Sequence, residues 1–120
     1  MAKVSVSWDN IAARAVIKRA GDCCVACGRY GTQGAHIFSR GQIGGRRNPV
    51  RYKGMIALCP SCHSHMDQHP KELEAFCISY MGEDEYNELH RQARAVCKYA
   101  DDECKEYIAQ CRAELKEVAL

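Results

Sequence analysis

No stretch of this 120-residue chain approaches the roughly 18 consecutive apolar residues that a membrane-crossing helix needs. No apolar signal segment stands ahead of the first cysteine, and an odd number of cysteines argues against a disulfide framework, so the expected setting is a reducing cytoplasm. No βαβ pattern of the thioredoxin kind surrounds Cys23-Cys24 and Cys27, which sets a redox protein aside. From Glu83 to Leu120 there is neither glycine nor proline, so nothing in the backbone chemistry interrupts a helix there.

What the chain has in plenty is cysteine, with nine residues. Four of them stand as two C-x-x-C pairs, Cys24-Val-Ala-Cys27-Gly28 and Cys59-Pro-Ser-Cys62-His63. This is the spacing by which a thiolate knuckle takes two corners of a tetrahedral zinc. Gly28 suits the tight turn after the first pair, and Pro60 suits the start of a helix inside the second. Cys24, Cys27, Cys59 and Cys62 are therefore read as one structural zinc site, against four buried thiols or two disulfides. So small a chain has a thin core and is expected to use such a staple. Structural zinc contributes roughly 10–16 kcal/mol of binding free energy in small peptides. Net domain stability is only about 5–15 kcal/mol, so the tied segment should not survive loss of the ion.

The net charge of +2 is unevenly spread: residues 1–70 carry ten Lys/Arg and three Asp/Glu, residues 71–120 seven and twelve. A basic front suits a polyanion; the alternative is a solvated acidic helix and a chance excess of arginine. Within the front, Arg40-Gly-Gln-Ile-Gly-Gly-Arg-Arg-Asn-Pro-Val-Arg51 is a Gly- and Arg-rich loop. Glycine lets backbone approach a ligand and the guanidinium fork matches phosphate oxygens. Arg40, Arg46, Arg47, Arg51 and Lys53 form a candidate phosphate-contacting rim, or else an ordinary solvated loop.

Along the chain, Met1 to Ser5 reads as a loose end and Ser7 as an N-cap. Trp8, Ile11, Ala12, Ala15 and Val16 then recur at helical spacing until Gly21, with Trp8 expected in the core. Ala35–Ser39 and Met55–Leu58 suit a short strand pair. Pro60 to about Asp67 should be a helix, and Pro70 opens another that Gly82 ends. Beyond it, apolar or small residues recur by threes and fours from Tyr86 to Val118, with Cys97, Cys104 and Cys111 one heptad apart as small seam residues. An unbroken helix of that length would run about 55 Å, whereas a compact chain of this size has a radius of gyration near 14 Å. It should break, around Asp101-Asp102, or project and find a partner, which makes a homodimer or protein complex through this segment an expectation. Residues 1–82 and 83–120 are read as a zinc-bound domain and its helical extension.

The histidines point to chemistry. His36 falls on the first strand and His63 directly after the second cysteine pair; Asp67 lies one helical turn beyond His63, where two side chains can share a cation. His65 and His69 repeat that spacing. An imidazole, whose ordinary pKa is about 6.5, can take a proton from water at neutral pH. A divalent ion opposite it can hold the leaving oxygen of a phosphodiester.

In this order the chain resembles the HNH, or ββα-metal, endonucleases in the zinc-knuckled form common in bacteriophages and prophages, recombination-associated nucleases among them. The likeness rests on Cys24-x-x-Cys27-Gly28, Ala35-His36-Ile37-Phe38-Ser39-Arg40, Arg51-Tyr52, Ile56-Ala57-Leu58-Cys59-x-x-Cys62-His63, His69-Pro70 and a helix from Gly82 to Leu89. It spans about residues 22 to 95. The resemblance implies an α+β, mainly helical fold: a small zinc-stapled ββα-metal core with an N-terminal helix and a long C-terminal helix or helical hairpin. It implies DNA cleavage of low sequence specificity with Mg²⁺, Mn²⁺ or another divalent ion. His36 would be general base, and His63 and Asp67 ligands of the catalytic ion. It implies a bacterial host cell as the setting, with a phage or prophage gene. Two departures stand out. Ala35 occupies the place where many members carry an aspartate, and Gly54 or Met55 the usual place of the middle asparagine, for which Asn48 is the candidate substitute. The other reading is a catalytically inactive HNH-like zinc finger serving as a nucleic-acid- or protein-binding adaptor or inhibitor.

Overall fold

The computed structural model describes residues 2–38, 48–94 and 100–116. In chain order these form α1 (Ala2–Arg19), β1 (Gln33–His36), α2 (Val50–Lys53), β2 (Met55–Leu58), α3 (Pro60–Gln68), α4 (Pro70–Met81), α5 (Glu83–Arg94) and α6 (Ala100–Lys116). The fold is mainly helical around one two-stranded antiparallel sheet, in which Gln33 pairs with Leu58 and His36 with Met55.

β2 is the centre of the molecule. All four of its residues are buried, and successive side chains point to opposite faces. Ile56 and Leu58 join Cys24, Ala35, Phe38, Cys59, Cys77 and Tyr86 in one core, roofed by α4 and α5. Met55 and Ala57 join Ala12, Val16, Tyr52, Cys104 and Ile108 in a second core, built with α1 and α6. A four-residue apolar strand with helices on both faces explains why its pattern is continuous and not alternating.

α1 seats closely on β1. A Cβ at Gly34 would stand 2.6 Å from Ala13 Cβ and 2.9 Å from Ala13 Cα, so only glycine lets helix and strand meet at this distance. Asp9, one turn before Ala13 on the same helix face, is thereby brought to His36. The helix stops where Gly21 and Asp22 take φ of +65° and +58°; Gly21 donates its N–H to Lys18 O and Asp22 donates its own to Ile17 O.

Several expectations change. α1 begins at Ala2, so Ala2–Ser5 is helical and Ser7 lies inside the helix, not at its cap. With no Gly or Pro before Gly21, extending an established helix costs little. β1 is Gln33–His36 and not Ala35–Ser39, because Ile37 and Phe38 bend into the core. The loop holds a short helix, α2, whose Val50 and Tyr52 are buried. The C-terminal stretch forms two helices with their junction outside the described residues, as is Cys97; Asp102, expected near a break, lies within the first turn of α6, at the helix end that favours negative charge. α6 lies back along α1, held by Arg19, which donates to Glu114 at 2.8 Å and to the Tyr107 hydroxyl at 2.9 Å. Cys104 and Cys111 are fully buried on this seam, as small packing residues should be. The radius of gyration is 14.1 Å.

Candidate functional site

The two cysteine pairs meet beside the sheet. The sulfurs of Cys24, Cys27, Cys59 and Cys62 all lie within 4.8 Å of one another, and all eight described cysteines are free thiols. The Cys27–Cys59 sulfur separation is 3.6 Å; a tetrahedral zinc with bonds of about 2.3 Å sets its sulfurs about 3.8 Å apart. The cluster can therefore hold a metal ion such as zinc with little adjustment. Its frame is ordinary backbone chemistry. Gly28, at φ +81°, closes the first turn by donating to Cys24 O at 2.8 Å, and Cys24 donates to Arg29 O at 2.8 Å. Val25 donates to Ala57 O, tying this turn to β2. Cys59 caps α3, with its sulfur accepting the Cys62 N–H at 3.4 Å.

The electrostatics of the cluster suit a cation. Burial pushes the Cys24 thiol up, but N–H groups of Cys59, Cys27 and Ala26 outweigh it and bring the group to about 6. Burial and the neighbouring sulfurs, Cys59 foremost, drive Cys62 up to about 12. Four sulfurs this close cannot all be thiolates without positive charge among them, and a divalent ion supplies it.

Next to the cluster, His36 from β1 and His63, Met66 and Asp67 from α3 line one open groove of about 410 Å³, with Gly34 and Leu73 in its walls. His63 Nδ1 is 2.8 Å from the Gln33 side-chain oxygen, which can only accept, so Nδ1 carries the proton and the lone pair is on Nε2. That Nε2 faces the Asp67 carboxylate at 3.6 Å, close to the roughly 3.4 Å at which a nitrogen and an oxygen share one tetrahedral zinc-sized ion. His36 Nε2 lies 4.0 Å from Asp9 Oδ1. The structure thus brings His36, His63 and Asp67 to one groove, in which His63 directly follows Cys62 of the cluster along α3.

Other expected site residues lie elsewhere. Asn48 is buried; its amide nitrogen donates to the carbonyls of Gln92 and Ala93 at 2.9 and 3.1 Å, and its oxygen accepts the Val50 N–H at 2.9 Å. These bonds start α2 and join it to the end of α5, a structural task in place of the one expected beside His36. Arg51, expected on the phosphate-contacting rim, forks the Asp9 carboxylate through Nε at 3.0 Å and Nη2 at 2.7 Å. Hydrogen bonding to Asp9 raises its pKa further despite burial, and only 16% of its side chain is exposed. It is a half-buried strut between α2 and α1, with its guanidinium already engaged. Lys53 is exposed, with its ammonium 5.8 Å above the Tyr107 ring. Arg40, Arg46 and Arg47 lie outside the described residues. Sequence reasoning missed Asp9 and Gln33, which reach His36 and His63 from distant positions; the only local trace was a glycine at 34 opposite a small residue in α1.

Comparison with known proteins finds no matching family model, no matching curated protein and no matching solved structure.

Proposed function

We propose that the chain is a metal-dependent nuclease of HNH type that hydrolyses DNA phosphodiester bonds with low sequence preference on a zinc-stapled ββα core. The observation that supports this best is the shared groove: an imidazole on the strand, His36, faces an imidazole–carboxylate pair, His63 and Asp67, on the helix that follows the cysteine cluster. Cys24, Cys27, Cys59 and Cys62 would hold the structural zinc, and His63 and Asp67 the catalytic ion. That ion, when bound, supplies Lewis-acid stabilisation of the phosphate and the departing 3′ oxygen. His36 accepts the proton of the attacking water. The Asp9 carboxylate, 4.0 Å from Nε2, favours the imidazolium that results. Gln33 fixes the His63 ring by accepting Nδ1–H, so that Nε2 stays available. Lys53, with Arg40, Arg46 and Arg47, would steady the DNA backbone without reading bases.

Supercoiled-plasmid nicking in Mg²⁺, Mn²⁺ or Ni²⁺ tests this reading. Cleavage by the wild type that falls at least about 100-fold in His36→Ala, in line with the loss of a general base, supports it. No cleavage in any ion, with DNA binding intact, would favour the adaptor reading. One observation points that way already: Asn48 and Arg51 are both engaged in holding the fold.

A further inference from the structure

We propose that His65, His69 and Glu72 form a second metal site, distinct from both the cysteine cluster and the groove, selective for a transition ion such as Zn²⁺, Co²⁺ or Ni²⁺. Among the described residues only two groups of three or more ligand-bearing side chains draw within 4.8 Å of one another, and this is the one without cysteine. The backbone builds it. His65 and His69 are one turn apart at the end of α3, and His69 is at once the last cap of α3 and the residue before Pro70 of α4. Glu72 donates its N–H to His69 O at 3.0 Å, which sets the first turn of α4 beside the end of α3. Both histidines lie roughly 200° around α3 from His63 and Asp67, so the two sites face different sides.

The hydrogen bonds already choose the ligand atoms. His69 Nδ1 lies 2.8 Å from the His65 carbonyl oxygen, an obligate acceptor, so Nδ1 holds the proton and Nε2 presents a lone pair. His65 Nε2 is hydrogen-bonded to the Glu72 carboxylate, so two good ligand groups already face each other across one proton. The two rings are stacked, with centroids 4.2 Å apart and planes 19° from parallel. A divalent ion takes the place of that proton and gathers two imidazoles and one carboxylate. That donor set suits zinc, cobalt and nickel better than magnesium or calcium, and three protein ligands leave a coordination position open. All three residues are exposed, so the ion can enter without unfolding the chain.

The site is independent of the nuclease reading, and its test is arranged accordingly. Full-length protein carrying His63→Ala, which disables the groove pair, is loaded with a single equivalent of Zn²⁺ to fill the four cysteines and then titrated with Co²⁺. The expected result is one further equivalent per chain, without sulfur-to-cobalt charge-transfer absorption and with paramagnetic broadening of the His65 and His69 ring protons. Adding His69→Ala, or separately Glu72→Gln, should weaken that uptake at least tenfold. No uptake beyond zinc, uptake accompanied by sulfur charge-transfer bands, or uptake unmoved by both substitutions would overturn the proposal.

Discussion

Replacing Gly34 by alanine should separate α1 from the sheet and carry Asp9 away from His36. The added Cβ would stand 2.6 Å from Ala13 Cβ and 2.9 Å from Ala13 Cα, while carbon atoms rest about 3.5–4.0 Å apart. Because one obstacle is helix backbone, no rotamer change relieves it, and α1 must retreat by about 1 Å. Overpacking of this kind costs about 1–3 kcal/mol, a sizeable share of the about 5–15 kcal/mol that holds a domain together. Moving α1 loosens two contacts at once, since Asp9 on its face both receives the Arg51 fork and approaches His36 at 4.0 Å. Stability should be read by urea denaturation and activity by plasmid nicking, with Ala13→Gly as partner substitution. Ala13→Gly alone should cost about 1 kcal/mol through helix propensity, yet it removes the nearer obstacle. The double variant should therefore be more stable than the sum of the singles by at least about 0.5 kcal/mol, the coupling expected of residues in contact. A neutral Gly34→Ala, or strictly additive singles, would refute the close seating of α1 on β1 and the placement of Asp9 that depends on it.

Chelation of zinc-loaded protein, or Cys59→Ser, should unfold at least the β1–β2–α3 unit, seen as loss of amide protection there while α6 exchanges later. Because metal-free protein has this unit unfolded, its thiols carry ordinary pKa values of about 8.5, so zinc uptake at pH 7 should release close to four protons per ion on an indicator dye; a count of two or fewer would show a folded, part-ionised site before the metal arrives. Arg51→Ala should lower stability by about 1–3 kcal/mol, because it leaves Asp9 without its charged partner, while the slope of DNA affinity against salt stays unchanged. A flattened slope would return Arg51 to the DNA interface.

The cysteine cluster was legible because its information is local: two C-x-x-C pairs, a glycine after one and a proline inside the other encode the turns that aim the sulfurs. β2 and the helices opened by Pro60 and Pro70 were legible for the same reason. The reading failed wherever long-range packing decides. Arg51 looked like a rim residue until α1 brought Asp9 against it, and Asn48 looked like a partner for His36 until α5 offered two carbonyls. The start of α1 was misplaced because serine at position 7 competes for caps only where a helix needs one. No pattern in residues 33 to 36 announces that Gln33 will hold His63, since that bond spans 30 residues.

On the nuclease reading, the same packing accounts for Ala35 standing where many HNH enzymes carry an aspartate. Strand alternation sends Ala35 into the core with Ile56 and Leu58, where it is 2% exposed, and His36 to the opposite, half-open side. An aspartate at position 35 would bury an unpaired carboxylate among apolar side chains, at a cost of several kcal/mol or with loss of its charge. This hairpin therefore cannot take its carboxylate from the residue before the histidine. It has one on the correct side all the same, because Gly34 admits α1 and α1 delivers Asp9. Arg51 holds that carboxylate in place without covering the His36 ring, whose side chain remains 36% exposed. On the nuclease reading, the charge that elsewhere sits next to the base in sequence is here supplied across space. The N-terminal helix is then part of the catalytic apparatus, and nicking by Asp9→Asn should fall even where the groove ligands His63 and Asp67 are untouched.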